Sequence, residues 1–131
     1  MISGDARPVG AALEGPAPFR ILSQFLQERT SLIVVTGALD LLTVGHLRAA
    51  LADAVAGGAT YVALDLSGVD FIDSLSLAAI VGASRDLGPD GRMAVVIEPD
   101  SYVTLIFEIG GIGRVVEVVE GREEALAHLR G

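Results

Sequence analysis

The residues best placed for chemistry are clustered in Asp65-Leu66-Ser67-Gly68-Val69-Asp70-Phe71-Ile72-Asp73-Ser74-Leu75-Ser76. Three carboxylates and three hydroxyls fall within a dozen positions, so each chemistry open to that set can be weighed in turn. Ser74 as a nucleophile needs a base, and the chain has only two histidines, His46 and His128. The glycines that flank the serine of a nucleophile elbow are missing, because Ile72-Asp73-Ser74-Leu75-Ser76 has none. Asp65, Asp70 and Asp73 offer oxygen ligands but lack the spacing of a cation loop, so solvated loop acids and a helix cap are the expectation. A phospho-aspartate switch usually draws on a lysine, and all nine basic residues here are arginine. The same absence removes the phosphate-loop lysine and Schiff-base chemistry. Gly110, Gly111 and Gly113 follow a helix and precede a strand, the reverse of a dinucleotide-binding order, and read as turn glycines. Two readings of Ser74 remain open on local physics: part of a helix cap, or an acceptor for a phosphoryl group from another protein.

The elements around it must hold that serine in place. Tyr61–Leu66 is a short apolar run closed by Ser67-Gly68, which predicts a buried strand with a breaker after it. Asp73 and Ser74 stand before Leu77, Ile80, Val81 and Ser84, so a helix is predicted from there to about Leu87, with Asp73 or Ser74 as its N-cap. Ser74 is thereby expected at a helix N-terminus, where unpaired N–H groups and the helix dipole favour negative charge. His46 lies one position off the apolar stripe Val44, Leu47, Leu51, Val55 and is expected at the surface.

The other segments fall in order. Residues 1–18, rich in Gly, Ala and Pro, are expected to form a disordered arm, and 19–131 a single domain. Strands are predicted at Arg20–Glu28 and Leu32–Thr36 with a turn at 28–31, and Gly37–Asp40 as a loop leading to Thr43, the cap of a helix ending at Gly57-Gly58. Further strands are predicted at Arg92–Ile97 and Val115–Val119. Helices are predicted from Pro99-Asp100-Ser101 to Glu108 and at Glu123–Leu129. The order β-β-α-β-α-β-α-β-α implies an α/β domain: a mixed, mostly parallel sheet opened by a hairpin, with about four helices.

Composition bounds the partners. The 131 residues carry a net charge of −8, which argues against nucleic acid and against an anionic membrane surface. There is no cysteine, hence no disulfide and no thiolate. The start of the chain shows no secretory pattern and no apolar stretch reaches membrane-spanning length, so a cytoplasmic protein is expected. No cofactor and no metal are expected.

The run Leu64–Ser74 strongly resembles the core of STAS domains, the bacterial anti-sigma factor antagonist family. Upstream, Thr36-Gly37-Ala38-Leu39-Asp40 with Thr43 is similar to the family's G-x-L-D-x-x-T segment. Downstream, Gly91–Val96 and Phe107–Val116 keep its spacing, and the likeness covers about residues 19–130. The resemblance implies that Ser74 is phosphorylated by a partner serine kinase that is itself the anti-sigma factor. It implies that the unphosphorylated protein binds this kinase and frees the sigma factor, that phosphorylation breaks the complex, and that a serine phosphatase restores it. Asp40, Asp73, Ser74, Leu75 and Ser76 are the implied partner-binding positions, and the protein is not expected to be an enzyme. Where the family usually has Ser-Gly or Ala-Gly after the acceptor, this chain has Leu75-Ser76, which makes Ser76 a second candidate hydroxyl. The alternatives are a STAS scaffold subunit in a stress-signalling or lipid-transport assembly, without a phosphorylation cycle, and a nucleotide-binding or hydrolytic protein using Asp40, Asp65 and Ser74.

Overall fold

A computed structural model describes residues 18–130. The expected arm at 1–18, all but its last residue, lies outside the described residues. The chain begins with a hairpin, β1 (Arg20–Leu26) and β2 (Thr30–Leu39). It continues through α1 (Val44–Ala56), β3 (Tyr61–Ile72), α2 (Ser74–Asp86), β4 (Arg92–Val96), α3 (Tyr102–Gly110), β5 (Glu117–Val119) and α4 (Arg122–Arg130). The sheet order is β1-β2-β3-β4-β5. Only the β1–β2 pair is antiparallel. The hairpin, the parallel crossovers and the four helices all match the sequence expectation.

Two layers of helix enclose the sheet. Leu47 and Leu51 of α1, Leu77 and Ile80 of α2, and Val103 and Phe107 of α3 share one core with Ile33, Val35, Leu64 and Val95 of the sheet. Ala125 and Leu129 of α4 pack on the other face against Leu32, Ala63, Ala94 and Val96. Each fully buried aliphatic side chain of this kind stabilises the fold by about 1.5–3 kcal/mol. With few aromatics available, the core is carried by these aliphatic residues.

Several boundaries differ from the sequence reading, each for a local reason. The first strand ends at Leu26 rather than Glu28, because Glu28 and Arg29 both adopt positive φ (61° and 57°) in the turn. Gly37–Leu39, expected as a loop, extends β2, since β3 continues alongside it. The Ser67-Gly68 pair does not break β3. The strand runs on to Ile72 through two register shifts against β2. Each shift places an additional residue on β3, so Leu66, Val69 and Ile72 reach the same core at intervals of three, where a regular strand alternates at two. Gly68 is required there: a Cβ at that position would stand 2.7 Å from Cγ2 of Thr36. The final strand is only Glu117–Val119, because a 3₁₀ turn at Ile112–Arg114 takes up the residues before it.

Candidate functional site

The site forms where β2 and β3 end together. Leu39 and Ile72 are the last register pair, and the backbone N–H of Asp73 donates to the carbonyl of Leu39 at 3.1 Å. The segments Asp40–Thr43 and Asp73–Ser76, 30 residues apart in sequence, therefore leave the sheet side by side.

On the first segment, Asp40 organises the turn into α1. Its Oδ1 accepts from the backbone N–H groups of Leu42 (2.9 Å) and Thr43 (3.2 Å), an Asx turn. Thr43 occupies the N-cap position of α1 but does not cap it. Its hydroxyl instead donates to the carbonyl of Ala38 at 2.7 Å and accepts from the backbone N–H of Asp40. The tight turn pushes Leu41 and Leu42 outward, leaving them 75% and 87% exposed.

On the second segment, Asp73 is the N-cap of α2. Its backbone is extended and its Oδ1 accepts from the N–H of Ser76 at 2.8 Å. A cap of this type is worth about 1 kcal/mol. Ser74 is the first residue of the helix and is exposed, as is Leu75. Ser76 points the other way. It is 0% exposed, and its hydroxyl has no hydrogen-bond partner among the described residues. Two exposed rings lie next in sequence or across the sheet end: Phe71 stacks on Tyr102 of α3 with centroids 5.5 Å apart and planes 9° from parallel. Sequence reasoning missed Leu41, Leu42, Phe71 and Tyr102 as surface residues. An apolar residue in a loop signals exposure only once the neighbouring turn is known.

The remaining candidates lie elsewhere. Asp65 is buried, and its carboxylate accepts from the N–H (2.9 Å) and hydroxyl (2.6 Å) of Ser67 and from Nε of Arg122 at the start of α4. Burial pushes its pKa up, but the Ser67 and Arg122 hydrogen bonds and the Arg122 charge outweigh this and hold it below the usual carboxylate value. This carboxylate fastens α4 to the sheet. His46 rests against Phe19, with ring centroids 5.7 Å apart, and His128 lies near Glu117 and Glu124. Among the described residues no group of three or more His, Cys, Asp or Glu side chains is arranged to hold a metal ion, and no helix is long and apolar enough to cross a membrane.

The domain is thus a mixed sheet opened by a hairpin, with an exposed serine beginning the helix after its middle strand and exposed leucines beside it at one end. Residues 26–125 match the STAS domain family, and the chain belongs to that family. It is 26% identical over 101 residues to the anti-sigma-F factor antagonist RsfB of Mycobacterium tuberculosis, across 77% of this chain and 82% of that protein. Its fold is similar to the crystal structure of an anti-sigma factor antagonist from Mycobacterium paratuberculosis, with a TM-score of 0.80 and 23% identity over 88% of this chain and 99% of that one. It is also similar to the Bacillus cell fate determinant SpoIIAA in its phosphorylated form, with a TM-score of 0.65 and 24% identity over 85% and 100% of the two chains.

Proposed function

We propose that this protein is an anti-sigma factor antagonist, switched by phosphorylation of Ser74. In the unphosphorylated state it binds a serine-kinase anti-sigma factor through the surface formed by Asp40–Leu42, Asp73–Leu75 and Phe71, and this binding releases the sigma factor. The kinase phosphorylates Ser74, the complex separates, and a serine phosphatase resets the cycle. The protein supplies the acceptor and the docking surface, and the kinase and phosphatase supply the chemistry.

The observation that carries this reading is the placement of Ser74: exposed, first in α2, and flanked by exposed Leu75. The first-turn N–H groups and the helix dipole stabilise an anion at that end, so the protein's own fold tolerates a phosphoryl group. A phosphate adds nearly two negative charges, which a partner packed on Leu41, Leu42 and Leu75 has to desolvate. The switch then needs no rearrangement of the sheet. Between the two candidate hydroxyls, the burial of Ser76 supports Ser74 as the acceptor.

The test is binding of the kinase recovered from the same cells, measured by calorimetry with Ser74→Ala and Ser74→Asp. The reading expects the alanine variant to bind as the parent does and the aspartate variant to bind more weakly. Equal affinities for both would favour the scaffold reading, in which this surface docks a partner without a cycle.

A further inference from the structure

α1 and α2 pack side by side and leave a groove between them. Each follows one of the two strands that end together, so both helices start at the Ser74 end. The groove has a volume of about 630 Å³, with Leu51 and Val55 of α1 and Ala79 and Ala83 of α2 among its lining residues. Gly82 opens onto it, and a Cβ at that position would meet no atom within 4 Å. Glycine weakens a helix interior relative to alanine, and here no neighbour within the described fold requires it. Arg48, the fifth residue of α1, lines the groove toward the Ser74 end, and Asp86, the last residue of α2, lines the other end. Neither makes an ion pair among the described residues.

The described chain enters beside this groove. A Cβ on Gly37 would stand 2.9 Å from the carbonyl oxygen of Pro18, and the Phe19 ring rests on His46 in the first turn of α1. At that level α1 carries the small exposed residues Gly45 and Ala49, so a segment can pass over it. Crossing a helix takes about 10 Å. The four steps from Pro18 back to Glu14, through Gly15-Pro16-Ala17, span up to about 13 Å. Glu14 thereby reaches Arg48. Beyond it, Val9-Gly10-Ala11-Ala12-Leu13 is uncharged and small-sided, which suits an alanine-lined groove, and Arg7 follows. Arg48 and Asp86 are offset by eight helical residues, about 12 Å. The stretch from Glu14 to Arg7 covers up to about 23 Å, enough to reach the far end. Run in this direction, the charges are opposite at both ends of the groove, whereas the reverse direction sets like charges together at both.

We propose that residues 7–14 of the same chain lie along the α1–α2 groove, with Glu14 paired to Arg48 and Arg7 to Asp86. The strap does not depend on the reading of Ser74, which is not among the residues that line the groove.

The chain has no cysteine, so Ala11→Cys in the full chain carries a single nitroxide label. Its broadening of amide NMR signals, measured against the reduced label, tests the proposal. The signals of Ala52, Ala79 and Gly82 should lose most of their intensity, while those of Ala127 and His128, exposed on α4, should keep theirs. Arg48→Glu should restore most of the lost intensity. Adding Glu14→Arg should remove it again, because the exchange inverts the pair without losing it. Gly82→Leu fills the groove and should restore the signals of Ala52 and Ala79, with circular dichroism confirming that the variants fold. Broadening spread evenly over the domain overturns the proposal, as does broadening indifferent to these substitutions or not recovered by the exchange. Spin-labelled chains mixed with isotope-labelled, unmodified ones give the last check: broadening of the groove between chains would seat a second copy's segment there and overturn it too.

Discussion

The N–H of Asp73 donates to the carbonyl of Leu39 at 3.1 Å, one residue past the last register pair of β2 and β3. That bond closes the sheet end and sets two short turns beside each other, one shaped by Asp40 and one by Asp73. In both carboxylates Oδ1 accepts from local backbone N–H groups. They therefore act as positioning residues, which fix where Leu41, Leu42, Ser74 and Leu75 stand.

Asp73→Ala should cost about 1 kcal/mol of stability, the usual value of an N-cap, while Asp73→Asn should cost much less, because asparagine caps nearly as well. Thermal melts of the two variants check this. Similar losses in both would mean that the carboxylate's charge, rather than the hydrogen bond to Ser76, is what matters.

Ser76→Ala should leave stability unchanged or raise it by up to about 1 kcal/mol. The buried hydroxyl of Ser76 has lost its water without gaining a partner among the described residues, and removing such a group recovers its desolvation cost. Urea unfolding gives the sign directly. A marked loss of stability would show that the hydroxyl is satisfied in solution, for example by a bound water.

Gly68→Ala should destabilise the protein by about 1–3 kcal/mol, the range for overpacking, since its Cβ would meet Cγ2 of Thr36 at 2.7 Å. Thr36→Ser removes that methyl group and should recover much of the loss when the two substitutions are combined. A double-mutant cycle measured by denaturation tests the coupling.

The strands, helices and their order were legible because buried strands and amphipathic helices advertise themselves by period. The path from Leu66 to Ile72 was not. Ser67-Gly68 reads as punctuation in isolation, and only the pairing of Thr36 with Gly68 shows that the strand continues through a bulge. For the same reason Leu41, Leu42 and Phe71 gave no signal, since their exposure follows from turns and bulges that another strand dictates. Asp73 was legible as a cap because capping is local. Thr43 was legible as the N-cap position, but its side chain makes no cap bond, because its hydroxyl is turned to the carbonyl of Ala38. Asp65 offered no sign of its partner, as Arg122 lies 57 residues away.

Acid should release α4. The folded Asp65 carboxyl titrates below its ordinary value of 3.8, so its contribution to stability is fully present above that value and is lost as pH falls through the folded value. Asp65→Asn should flatten the stability profile in this acid range and lower stability at neutral pH. Arg122→Gln should produce part of the same effect, because the Ser67 hydrogen bonds remain. Urea midpoints measured as a function of pH test the sign. A wild-type profile indistinguishable from that of Asp65→Asn would remove this carboxylate from the account.

The central claim rests on one hydroxyl, and mapping phosphate on the protein isolated from its own cells, across growth and stress conditions, tests it most directly. The account predicts phosphate at Ser74 whose occupancy changes with condition, and none at buried Ser76 in the folded protein. Absence of phosphate from Ser74 under every condition would contradict it.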